Sequence, residues 1–242
     1  MFLRVNTARC SRDQAIAALA AEAIVAVPHP LAQTALEVTE NARKIQNSQT
    51  YLQGLVELQD AASQAVVAEI PLRAGQRVLD HCAGGGGKTL ALATQPGLAL
   101  FAHDSEPRRM RDLPDRAKRA GVKVNITENP EDSAPYDVIL TDVPCSGSGS
   151  WRRDPQGKWA LTEPDLTRLC QIQADMLDRV APMVAPHGAL AYVTCSMLRA
   201  ENESQIAGFL ARHPQWQLEN QRRFSPLDGG DGFYFALLTR IE

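Results

Sequence analysis

From Gln59 onward, apolar runs of strand length alternate with segments of helical length, and this rhythm limits the fold more than any other feature. The runs are QRVLDHCA, LALFAHD, VKVNIT, YDVILTD, GALAYVTCS and GFYFALLTR. The helical segments are DAASQAVVAEI, KTLALATQ, EPRRMRDLPDRAKRAG, DLTRLCQIQADMLDRVAPMV and ENESQIAGFLARHP. Strands alternating with helices of this length predict a parallel sheet covered on both faces, a doubly wound α/β fold. In such sheets ligands bind beyond the carboxyl ends of the strands, where strand order switches. Residues 1–58 read differently, as a small α+β unit. FLRVN is a short strand, and Ser11 caps a helix with Ile16, Leu19, Ala20 and Ala23 at helical spacing. HPLAQTALEV reads as loop then strand, and ENARKIQNSQTYLQG as loop and short helix closed by Gly54. The expected organisation is a small N-terminal α+β subdomain over 1–58 and a large α/β domain over 59–242, for which 44% hydrophobic content supplies a core.

The turn after the first strand of the large domain holds Gly84, Gly85, Gly86 and Gly87, followed by Lys88 and Thr89. The ending is that of a phosphate-binding P-loop, but the required glycine six positions before the lysine is Cys82, and the spacing fails. Nor does VPCSGSGS, after YDVILTD, offer a hydrolytic base or arginine finger, so a P-loop NTPase is disfavoured. A glycine turn with an acid at the end of the second strand is how such sheets hold a nucleoside without a triphosphate. Asp104 of LALFAHD is placed to accept from two ribose hydroxyls. Alone, these two features fit equally a common strand–helix turn and a helix cap.

Other classes are excluded by composition. No run approaches the roughly 20 apolar residues of a membrane span, and MFLRVNTARC is not a signal peptide, so a cytoplasmic location is the default. Five cysteines without a CxxC pair, and no histidine at ligand spacing, predict neither disulfides nor a metal site. A net charge of −3 gives no global attraction to nucleic acid, so RNA binding needs a local basic patch or a partner.

Two of the cysteines, Cys145 in TDVPCSGSGS and Cys195 in YVTCSMLRAENE, each lie just past a strand and each precede a serine, facing the ligand crevice. DHCAGGGGKT, DVPCSGSG with WRRDPQGKW behind it, and TCSMLRAENE resemble the Nop/Sun family of S-adenosylmethionine-dependent RNA cytosine-carbon-5 methyltransferases. GLVELQDAASQ and SPLDGGDGFYFALL are similar to the family's flanking segments, so the resemblance covers nearly the whole chain and is strongest to the bacterial Sun type acting on 16S rRNA. That type typically carries a preceding helical RNA-binding domain. This chain begins at FLRVN and is expected to be a short natural member or a catalytic fragment.

The resemblance implies a Rossmann-like methyltransferase in which Cys195 is the nucleophile, Cys145 serves its release, and Asp142 hydrogen-bonds the base around N3, for which it must be protonated. Carbon 5 of cytosine needs this help, because only thiolate addition at carbon 6 makes it nucleophilic enough to attack a sulfonium methyl. The resemblance also places Cys82, Ala83, Gly84, Gly85, Gly86, Gly87 and Lys88 around the methionine and ribose of S-adenosylmethionine, with Asp104 on the ribose and Asp142 nearby. Gly84 and Gly85 stand where the family's usual CAAPGGKT has Ala and Pro, which predicts a floppier loop. For the family's adenine-contacting acid, VNITENPED offers Glu128, Asn129 or Asp132, and Glu128 is taken as the candidate. Arg152, Arg153 and Lys158, between Trp151 and Trp159, suit phosphate contacts and stacking; the plain alternative is a solvated loop anchored by its tryptophans. The expected partner is ribosomal RNA, supplemented by a separate RNA-binding module or the small ribosomal subunit. A non-catalytic ribosome-assembly factor on the same fold is the alternative, against which Cys195, Cys145 and Asp142 argue.

Overall fold

The computed structural model describes residues 1–241. Near the N-terminus, β1 (Phe2–Val5), β2 (Val25–Pro28), β3 (Ala35–Glu40) and β4 (Val56–Leu58) form an antiparallel sheet in the order β2-β3-β1-β4. Helix α1 (Arg12–Ala21) contributes Ala15 and Leu19 to a core with Leu3, Val5, Leu36 and Val38. Ser11 starts it with a capping box: its side chain accepts from Gln14 N, and Gln14 Oε1 accepts from Ser11 N. Helix α2 (Gln49–Leu52) follows. The short strands β2 and β4 escape the sequence pattern because three or four residues, one run ending on a proline, carry too little alternation to register.

The second sheet contains β5 (Arg77–Asp80), β6 (Ala99–Ala102), β7 (Asn125–Ile126), β8 (Tyr136–Asp142), β9 (Val184–Thr194), β10 (Trp216–Phe224) and β11 (Phe233–Arg240). Their order is β10-β11-β9-β8-β5-β6-β7. The sheet is parallel, as expected, but over only part of its width. β5 to β9 pair in parallel, but β11 runs antiparallel to β9 and β10 antiparallel to β11. A short connection between consecutive strands permits only an antiparallel hairpin. β10 is not recognisable as a strand because it is an edge, polar at most positions, with a bulge between Leu218 and Asn220 that breaks its alternation.

On one face lie α3 (Ala61–Ala68) and α4 (Gly87–Leu92); on the other, α7 (Glu163–Val180) and α8 (Glu203–Arg212). Successive strand residues feed opposite cores: Val138 and Leu140 join the first, Ile139 the second. The charged segment after β6 is not one helix. Prolines at the first turns divide it into a 3-10 turn, Pro107–Met110, and α5 (Leu113–Ala120). From β5 the chain winds outward through β6 and β7, then restarts on β5's other side with β8, so the switch point lies between β5 and β8.

Polar contacts join the two sheets. Arg4 Nη1 donates to Gly87 O at 2.7 Å and to the side chain of Gln59, and Asn6 Nδ2 donates to Ala120 O at 2.8 Å. Glu57 pairs with Arg119 at 2.6 Å and Arg116 at 3.4 Å.

Candidate active site

The loop leaving β5 is held from both sides. Ala83 N donates to His103 O and Gly84 N to Asp104 Oδ2, each at 2.9 Å, linking it to the end of β6. Gly86, with φ +81°, is the left-handed cap from which α4 starts; a Cβ there would lie 2.3 Å from Leu113 Cδ1. Gly84 also uses the left-handed region at φ +48°, so the departure from alanine at this place is matched by a conformation that favours glycine. Asp104 is buried, its Oδ1 accepting from Glu106 N at 3.0 Å and its Oδ2 lying 3.5 Å from Arg109 Nη1. Glu128, just past β7, is exposed.

Asp80, which the sequence reading passed over, ends β5 inside this cradle. Its Oδ2 accepts from Thr89 Oγ1 at 2.6 Å, whereas Oδ1 is buried with no hydrogen-bond partner among the described residues. Burial drives its carboxyl up to about 7 against the opposing Thr89 bond, and nearby Asp142 adds to the rise. The signal was present as the acid closing the strand run RVLD. Cys82 packs its sulfur 3.2 Å from Met176 Sδ, and burial, reinforced by Asp80, raises its thiol well above the ordinary range. It is no candidate nucleophile.

The other two motif cysteines meet. β8 and β9 pair through Asp142 and Val193, and Val143 N donates to Val193 O at 3.0 Å. Just beyond, Cys145 Sγ lies 3.4 Å from Cys195 Sγ. The two titrate as a pair. The hydrogen bond from Cys145 lowers the Cys195 thiol, while that same bond, with burial, raises Cys145. Burial and Asp142 oppose that lowering, and Lys88 in turn favours the Cys195 thiolate. Its ammonium is 2.6 Å from Asp142 Oδ2 and 4.8 Å from the centre of the Phe233 ring. Burial alone would lower the Lys88 pKa, but Asp142 outweighs it and the net shift is upward. A thiolate-forming pair, an ammonium–carboxylate pair and a glycine cradle thus converge at the switch point.

Residues 67–239 match the family described as 16S rRNA methyltransferase RsmB/F. The chain belongs to this family. Residues 1–46 match the ferredoxin-like domain described for RsmF/B-like methyltransferases, which corresponds to the first sheet. Proteins named ribosomal RNA small subunit methyltransferase B from Klebsiella pneumoniae subsp. pneumoniae and Photorhabdus laumondii are each 34% identical over 256 residues, covering 99% of this chain. The chain spans 59% of the length of these relatives. A methyltransferase homologue from Pyrococcus horikoshii (24% identical, TM-score 0.84) covers 99% of this chain and 86% of its own. NSun6 from the same organism, solved with SFG, has a TM-score of 0.85 at 17% identity and covers 100% of this chain and 90% of its own. The sheet order and small N-terminal sheet of this RsmB/F member therefore sit in a methyltransferase fold.

The basic loop of this RsmB/F chain is more committed internally than its sequence suggests. Arg153 forks onto Asp231, with Nε 2.9 Å from Oδ2, and Arg152 Nη2 lies 3.5 Å from the same buried carboxylate. Both side chains remain more than half exposed. Lys158, on α6 (Pro155–Ala160), lies 5.4 Å from the Trp159 ring, which is 81% exposed. Arg152 and Arg153 also line a groove of about 430 Å³ with Met1, Phe2, Leu58 and Asp60.

Proposed function

We propose that this chain methylates carbon 5 of cytosine in RNA, in small-subunit ribosomal RNA, with S-adenosylmethionine as donor and a covalent Cys195 intermediate. The observation that carries this reading is the 3.4 Å approach of Cys145 and Cys195 beside the Lys88–Asp142 pair. The cradle fits the donor: an unpartnered buried oxygen on Asp80 suits an ammonium, and Gly84, whose missing Cβ would meet nothing nearer than 3.7 Å, leaves the loop backbone open beside Asp104. Asp104 keeps its two oxygens at the end of β6, where ribose hydroxyls are expected. When bound, S-adenosylmethionine supplies an electrophilic methyl group.

The Cys195 thiolate, favoured first by its hydrogen bond with Cys145, adds to carbon 6 of the base, and the electron pair moves toward carbon 5 and N3. Asp142 is the expected partner of N3, where it would donate when protonated; its Oδ2 accepts from Lys88, whose ammonium is a second proton source for the charge developing there. With the methyl on carbon 5, that carbon loses its proton and the carbon 6–sulfur bond breaks, returning the thiolate. Cys145 takes that proton after passing its own to the Lys88–Asp142 pair, which donation to N3 has left one proton short, and N3 gives up its proton to solvent as the product leaves. Arg152 at the groove and Lys158 on α6 contribute phosphate contacts, with Arg153 held beside them on Asp231.

Incubation with 16S rRNA and labelled donor, followed by base mapping, is expected to find 5-methylcytosine. Cys195→Ala is expected to lose both the product and any covalent RNA adduct, whereas Cys145→Ala accumulates the adduct as a band stable to denaturing electrophoresis. Methyl on another atom, or swapped phenotypes, would overturn the chemistry or the assignment of the sulfurs.

A further inference from the structure

The mechanism above leaves unused the serines that follow the two cysteines. Both turn toward one carboxylate. Glu201, in the 3-10 turn Arg199–Glu201 after β9, is completely buried. Its Oε1 accepts from Ser146 N at 2.8 Å and from Gln173 Nε2 of α7 at 3.1 Å, and its Oε2 accepts the hydroxyls of both Ser146 and Ser196. Ser148 Oγ adds a second crossing, 2.9 Å from Ser196 Oγ and accepting from Met197 N at 2.8 Å. A buried carboxylate is tolerable only when its lone pairs are satisfied, and these four donors come from three chain segments. Two of the segments carry the sulfurs. The β8–β9 ladder ends before either cysteine, so beyond Val143 it is side chains and one further backbone bond, Gly149 N to Cys195 O at 2.9 Å, that fix the loops to each other.

We propose that Glu201 is the positioning residue that sets the separation of Cys145 and Cys195, by gripping Ser146 and Ser196 with one carboxylate. The proposal rests on the reading of these cysteines as nucleophile and release residue. It also gives the carboxylate's charge a use. The Cys145 thiol is raised first by its bond to Cys195 and by burial, and Glu201 adds to the rise, so the same group that spaces the sulfurs keeps the Cys145 proton in place until Cys195 has added.

A short bifunctional thiol reagent, dibromobimane, tests the spacing on the full chain without RNA or cofactor, with the bridged peptide mapped by mass. The unsubstituted protein is expected to bridge Cys145 to Cys195. In Glu201→Ala, both sulfurs remain singly alkylatable, but bridging falls, and the yield of covalent RNA adduct falls by roughly 100-fold, the scale expected of a displacement near 1 Å. Glu201→Gln retains bridging, since the serine hydroxyls can reverse to accept from the amide. Having lost the charge, it alkylates Cys145 at lower pH. A folded Glu201→Ala chain that bridges at the unsubstituted rate overturns the proposal. Should that variant fail to fold, Ser146→Ala with Ser196→Ala carries the same expectation and the same overturning result. Because bridging needs no substrate, a chain that never methylates cytosine would sink the functional reading and still leave this measurement decisive for Glu201.

Discussion

Asp80 reaches the end of β5 with one oxygen satisfied and one bare, and that asymmetry has a measurable sign. With its carboxyl near 7, the free protein holds much of Asp80 protonated at neutral pH. An ammonium placed against Oδ1 binds the ionised form, so below 7 binding must first release a proton. Affinity for S-adenosylhomocysteine is therefore expected to rise with pH from 6 to 8, approaching about tenfold per unit on the acid side. Calorimetry in buffers of different ionisation heat should detect the released proton, and Asp80→Asn should flatten the profile. A pH-independent dissociation constant in the unsubstituted chain would remove Asp80 from the ligand. Stability follows the opposite course: raised in the fold, Asp80 contributes its full share below the ordinary carboxylate range and loses it as pH climbs through 7. His81 counteracts this. Burial, aided by His103, depresses its imidazole to about 4, so its share is complete above the ordinary histidine range and is lost as pH falls toward 4.

Among elements, the glycine loop depends on neighbours distant in sequence. Arg4 from β1 donates to Gly87 O, Arg116 from α5 donates to Gly85 O, and Glu57 from β4 holds Arg116 and Arg119. Burial pushes the Arg4 guanidinium down to about 10 while Glu57 opposes the fall, so the small sheet keeps a buried cation against the loop's carbonyls. Glu57→Ala is expected to cost about 3 kcal/mol of stability, the lower end for breaking a buried ion pair, and to weaken cofactor binding although the residue touches no cofactor. Chemical denaturation and calorimetry read the two effects separately; stability lost with affinity unchanged would confine the brace to folding. None of this is legible in the sequence, because Arg4, Glu57 and Arg116 lie in ordinary strand and helix patterns. By contrast α1 announces itself through its serine cap, and β5, β8 and β9 through apolar runs buried on both faces. The edge strand β10 stays hidden because half-exposed polar residues carry no periodic signal.

At the scale of the whole molecule, the net charge of −3 leaves RNA affinity to a few local cations. The structure narrows them further: Arg153 is committed to Asp231, so its removal strips a buried carboxylate of its main partner and should cost about 2 kcal/mol in stability. The cleaner variant is Arg152→Ala with Lys158→Ala. If both contact phosphates of single-stranded RNA, the slope of log affinity against log salt should fall by about 1.4, roughly 0.7 for each contact. An unchanged slope in filter-binding titrations would move the RNA path away from the 151–159 loop. Sequence pattern alone made the cysteine loops visible, since their residues cluster in short motifs; the partnership of Arg153 with Asp231 spans distant segments and leaves no spacing to find. The strand β11 brings such distant pieces together late. Phe233 faces Lys88, Gly232 N donates to Gly149 O at 2.8 Å, and Asp231 receives the arginines, all from the start of β11, which lies between β9 and β10, and the two residues before it. During synthesis the two cysteines and the glycine cradle leave the ribosome before the segment that closes over them. The pocket around the cysteines is therefore completed only once the 231–233 segment has emerged, and a nascent chain stalled before residue 231 holds both cysteines without the ring and carboxylate that finish their surroundings.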